Sequence, residues 1–152
     1  MVKFTIHPSP GDGHDSIRDR VEDSRALLDA GRLEGALLMA CVAFAAAARR
    51  VLPDVKGDRA QFIGLLGLYR PNRLNVEYRG ELQSFEDLLY TWVRCELVHV
   101  AGLPVDIGWI TGPSRDDLIV RAGGPPQYRL LISPGWIGLL LAIATSYTQP
   151  DE

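Results

Sequence analysis

Residues Arg32–Leu52, RLEGALLMACVAFAAAARRVL, decide the fold. The stretch is rich in alanine and leucine, two of the strongest helix formers. Pro53, which has no backbone N–H to donate, stops it. Leu37, Leu38, Cys41, Val42, Phe44 and Ala45 cover most directions around the helix axis. A helix without a polar face is packed on several sides, so this one is read as the centre of a helical domain. The alanine run Ala45–Ala48 lets a neighbouring backbone come close.

Weaker periodic segments flank it. Ser16–Ala30 places Ile17, Val21, Leu27 and Leu28 at helical spacing, with Asp15 or Ser16 as cap and Gly31 as terminator. Asp58–Leu68 reads as a shorter helix carrying Phe62, Ile63, Leu65 and Leu66. The segment Tyr69–Gly80 contains Pro71, Asn72, Asn75 and Gly80 and is read mostly as loop. Glu81–Ala101 is a second strong helix, closed by Gly102 and Pro104. Asp117–Arg121 and Tyr128–Ser133 are β-branched or aromatic and flank the turn-rich AGGPPQ, which predicts a hairpin. Ser133-Pro134 then matches a cap followed by proline in the first turn, and a last helix runs to about Tyr147. The expected fold is mainly α, a bundle of about five helices with a small β-hairpin before the last. Residues 1–15 form a loosely ordered arm and residues 16–149 a single domain.

Composition narrows the function classes. The chain has 152 residues, 47% hydrophobic and 23% charged, which suits one ordinary globular domain. Its net charge of -3 and pI near 5.6 argue against broad, charge-driven nucleic-acid binding. A small basic cleft remains compatible with that total. Cys41 and Cys95 lie in apolar stretches without CxxC spacing, so both are expected reduced and without a disulfide. The start MVKFTIHPSPGDG has no apolar core of a secretory leader. Ala36–Ala48 and Trp136–Ala144, the longest apolar runs, fall short of the roughly 20 residues a membrane span needs. A cytoplasmic protein without membrane contact is expected.

The chemistry sits on Glu81–Ala101. At about 100° per residue, Leu89, Val93, Leu97 and Val100 form one buried stripe, with Trp92 and Glu96 at its edge. Arg94 and His99, the ends of RCELVH, fall on the flanks of the opposite side, about 140° apart. Cys95 and Val98, which are not solvating residues, lie between them. A second apolar face of this kind predicts a cover, and a second copy of the chain is the simplest one.

These residues resemble the HEPN superfamily, the higher eukaryotes and prokaryotes nucleotide-binding domains. The likeness rests on Arg-x4-His near a helix end, the flanking TWV and VAGLP, and the central ALLMACVAFAAAARRVLP. It spans roughly Arg32–Pro104. The resemblance implies a homodimer in which the Arg and His meet across the interface, with metal-independent endoribonuclease activity of a toxin or defence type. His99 would then serve as general acid or base on the ribose 2′-OH or the leaving 5′-oxygen, and Arg94 would hold the scissile phosphate. Histidine titrates near neutral pH, and arginine binds phosphate with two donors. RNA carries its own nucleophile, so no metal or cofactor is expected. Cys95 stands where active members usually carry a polar residue, often asparagine. Ala101 stands where members paired with nucleotidyltransferase antitoxins carry a modified tyrosine. The alternative reading is a non-catalytic module of the same fold binding RNA, nucleotide or a partner protein such as an antitoxin. A plain dimerisation domain is the third.

Arg70, Arg73 and Arg79 precede the motif helix and could line an RNA path. Cys95 and Glu96 are the expected supporting residues beside the pair, Glu96 toward the core edge. Arg49 and Arg50 end the central helix, where cations suit the helix dipole. His7 and His14 stand near Asp12 and Asp15 in the arm and read as solvated. GDG and GGPP read as turns, since neither links a strand to a helix with phosphate-loop spacing.

Overall fold

A computed structural model of the chain describes residues 13–123 and 129–148, with side chains from residue 16 onward. His7, Asp12, most of the expected arm and much of the AGGPPQ turn lie outside the described residues. Helix α1 spans Gly13–Asp29, α2 Leu33–Val51 and α3 Asp58–Tyr69. Helix α1 starts at Gly13, ahead of the expected cap on Asp15 or Ser16. Helix α2 packs against α1 and α3, and also against the last helix, α6 (Gly135–Thr145). Phe44 of α2 meets Phe62 of α3 edge-on at 4.7 Å between ring centroids. The buried Ser24 hydroxyl donates to the Ala36 carbonyl at 2.6 Å and stitches α1 to α2.

The expected loop before the motif helix is largely a β-hairpin. Strand β1 (Asn75–Tyr78) pairs antiparallel with β2 (Glu81–Ser84). Val76 and Tyr78 point inward, and Arg79 and Gly80 both take positive φ, as a two-residue hairpin turn requires. The helix expected over Glu81–Ala101 consequently begins only at Phe85. Ser84 caps it, accepting a hydrogen bond from the Asp87 backbone N–H at 3.2 Å.

That helix is also not uniform. Helix α4 (Phe85–Leu88) passes into a π-helical turn (Leu89–Arg94) and then α5 (Cys95–His99). Leu89, Val93 and Leu97 are buried as the periodicity predicts. Val100 is not: the helix has ended, and it is 66% exposed. Ala101, and not Gly102, takes the left-handed conformation that turns the chain.

The expected hairpin after this helix exists with shorter strands, β4 (Val120–Ala122) against β5 (Leu130–Ile132). A third strand, β3 (Ile107–Trp109), adds to β5 in parallel, so the appendage is a three-stranded sheet in the order β3-β5-β4. Ser133 does not cap α6. It is fully buried, and its hydroxyl accepts from the Ile119 N–H at 2.9 Å and donates to the Asp117 carbonyl. The Trp136 indole donates to the Ile119 carbonyl at 3.1 Å. The chain is thus mainly helical, with two small sheets. Among the described residues no helix is long and apolar enough to cross a membrane.

The turn before β4 is held against α6 by close backbone approach. A Cβ on Gly135 would overlap the carbonyl oxygens of Asp116 and Asp117, whereas one on the exposed Gly138 would meet nothing within 4 Å. Gly135→Ala should therefore cost about 2 kcal/mol or more, as overpacking does. Gly138→Ala should be neutral or stabilise by about 0.5–1 kcal/mol. Urea unfolding of the two variants checks this; equal midpoints would contradict it.

Candidate functional site

Arg94 closes the π-helical turn and reaches back toward the end of α2. Its side chain is only 20% exposed. One guanidinium nitrogen stands 3.5 Å from the Asp58 carboxylate at the start of α3, and another 3.9 Å from the Cys95 sulfur. The guanidinium also lies over the Tyr90 ring, 5.2 Å from its centroid. Arg49 approaches the other Asp58 oxygen at 3.7 Å. Asp58 thereby bridges two arginines.

These groups line a groove of about 390 Å³. Val42, Ala45 and Ala46 of α2 form one wall, Arg49 and Arg50 one end, and Asp58 and Arg94 the other side. Three guanidinium groups face one carboxylate there, on a chain whose net charge is -3. Arg49 and Arg50, read in the sequence as dipole-matched helix-end cations, are groove residues as well. Only the placement of Arg94 opposite the α2 end could have revealed this, and that is a tertiary fact.

His99, the last residue of α5, is exposed and does not line the groove. Its side chain makes no hydrogen bond or ion pair to another described residue. The residues between Arg94 and His99 are α-helical, so the pair keeps the angular separation of about 140° expected from the sequence. One chain does not bring them together. Its chain neighbours Val98 and Val100 are exposed too, and so is Val105 further along. Glu96 is half-buried at the edge of the stripe, as expected.

The three arginines expected along an RNA path are dispersed. Arg70 lies over the Trp136 ring at 5.0 Å. Arg79 stacks on Trp92 at 4.4 Å and donates to Asp106 at 2.7 Å. Both brace the fold. Arg73 is exposed and lines a different groove, with Lys56, Arg59 and Asp87. None of the three borders the Arg94 groove.

Cys41 is buried, and burial pushes its thiol up to about 12, so it is an inert core residue. Cys95 is partly exposed, and both cysteines are free. Among the described residues no group of three or more His, Cys, Asp or Glu side chains could hold a metal ion. Glu86 is a residue the periodicity gave no reason to notice. It is 1% exposed, and neither carboxylate oxygen has a hydrogen-bond partner among the described residues. No family model, curated protein or solved structure matches the chain.

Asp106 ties the first hairpin to the segment after α5. Its hydrogen bond from Arg79 holds the carboxyl below its ordinary range, assisted by the Tyr78 hydroxyl, which donates at 2.7 Å. A carboxylate with a depressed folded-state pKa stabilises above its unfolded value and ceases to as pH falls through the folded one. Asp106→Asn should cost about 1–2 kcal/mol at neutral pH. The gap between variant and wild type should close as pH drops below about 4. Thermal unfolding across that range checks it; a gap that widened in acid would contradict the arrangement.

Proposed function

We propose that this chain is an HEPN-like domain that acts as a homodimer and cleaves RNA without a metal, Arg94 of one copy working with His99 of the other. The observation that carries the reading is the uncovered strip of the central helix. Val42 is 39% exposed where the other large apolar side chains of α2 are buried or half-buried, and it lines the groove that holds Arg49, Arg50 and Arg94. A concave basic surface on an acidic protein is a place for a phosphodiester.

The residue types fit transesterification. The ribose 2′-OH attacks the adjacent phosphorus, the P–O5′ bond breaks, and the products are a 2′,3′-cyclic phosphate and a free 5′-OH. His99 takes the proton from the 2′-OH or supplies one to the leaving 5′-oxygen. Arg94 neutralises charge on the non-bridging oxygens from a fixed position, since Tyr90 and Asp58 already orient it. In a two-fold dimer, the exposed Val98 and Val100 next to His99 in the chain offer apolar surface with which to meet the partner.

A second reading has its own observation. No hydrogen-bond or ion-pair partner among the described residues fixes the His99 ring, and Cys95 touches Arg94 where a polar residue is usual in active members. The groove alone then suffices for a non-catalytic module that binds RNA, nucleotide or a partner protein.

Purified protein incubated with mixed RNA in EDTA should generate 2′,3′-cyclic phosphate ends. His99→Ala, an exposed position, should lose about 10²–10⁴-fold in rate with an unchanged fold. Cleavage that needs added divalent metal, or that survives His99→Ala, would overturn the enzyme reading. Tight RNA binding without cleavage would select the module.

A further inference from the structure

The first turn of α3 separates two basic grooves, and the reading above uses only one. The other, of about 590 Å³, is lined by Lys56, Arg59 and Arg73, with Asp87 as its carboxylate. Asp87 is already committed. One of its oxygens accepts from Arg59 at 2.5 Å and the other from the Ser84 hydroxyl at 2.6 Å. Arg59 is neutralised by that pair. Lys56 and Arg73 make no hydrogen bond or ion pair to any other described residue. The groove therefore presents two uncompensated cations around an open space. Gly57, at φ +96, leaves its entrance bare, with nothing within 4 Å of a Cβ placed there.

The geometry points to a second phosphate-binding subsite at Lys56 and Arg73, and we propose that one single-stranded RNA occupies both grooves by crossing the first turn of α3. The inference rests on the RNA reading of the Arg94 groove and names how that RNA runs. Asp58 and Arg59 are adjacent residues, one facing each groove. Together the grooves set six cations against two carboxylates, so the acidic excess of the chain lies elsewhere. A polyanion binds such a surface by releasing counterions, and each phosphate contact adds to the salt dependence.

The test uses 2′-O-methyl oligouridine, which binds as RNA does but lacks the hydroxyl needed for cleavage. Its affinity is measured against salt for wild type, for Lys56→Gln/Arg73→Gln, for Arg94→Gln, and for a control pair, Arg32→Gln/Arg121→Gln. The control removes the same charge from exposed positions outside both grooves. The subsite predicts about ten-fold weaker binding at low salt for the Lys56/Arg73 pair. It also predicts a slope of log affinity against log salt flatter by about 1.4, two single-strand phosphate contacts. A Lys56/Arg73 effect no larger than the control's, with Arg94→Gln still weakening binding, overturns the subsite and leaves the RNA reading standing. Wild type that binds no oligonucleotide overturns both.

Discussion

Helix α2 is apolar around most of its circumference, and the rest of the chain is arranged around that constraint. From Ala36 to Ala48 its core positions are fully buried. Burying apolar surface is worth roughly 25 cal/mol per Å², so a helix apolar all round organises whatever surrounds it. Helices α1, α3 and α6 each take one side. Small residues at Ala40, Ala43 and Ala47 let them come close. The side left open holds Val42, Ala45 and Ala46, and that side is the wall of the Arg94 groove. The fold and the candidate site thus meet in one element. Where α2 leaves the core, its last turn carries Arg49 and Arg50 beside the guanidinium that the π-helical turn delivers.

Burial of the motif helix explains the apparatus around it. Its inward face, Leu89, Val93 and Leu97, sits against the core. The π-helical turn lies between Ser84, which fixes the start, and Ala101, which ends the run at a left-handed residue. Such turns interrupt the regular ladder and recur at functional sites. The Arg79, Tyr78 and Asp106 cluster then locks the preceding hairpin to the segment after His99. Both ends of the helix are held while His99 remains at the surface.

The central helix, its neighbours and the inward stripe of the motif helix were legible because each is long enough for periodicity to speak. The first hairpin was missed for a local reason. Its turn is Arg79-Gly80, where Asn-Gly or Asp-Gly is the usual signal, and Arg79 is kept at positive φ by tertiary contacts with Asp106 and Trp92. The start of the motif helix did carry a signal, since Ser84 and Asp87 have capping-box spacing. The strand β3 is three residues long with a glycine at its centre, where the Leu131 side chain packs within 3.1 Å of a Cβ position. Of the site, Arg94 and His99 were legible as a pair on one helix and as a pair that diverges. The bridge through Asp58 was not, because it joins residues 36 positions apart. Arg70, Arg73 and Arg79 looked alike in sequence and proved to have different neighbours.

The divergence of Arg94 and His99 is what the functional account turns on. If each catalytic centre takes its arginine from one copy and its histidine from the other, two inactive variants can complement each other. Arg94→Ala and His99→Ala proteins, mixed and allowed to exchange subunits, should recover about a quarter of the wild-type cleavage rate, since half the dimers are hybrids with one intact centre each. A mixture as inactive as its components, despite hybrid dimers detected by mass, would contradict the account.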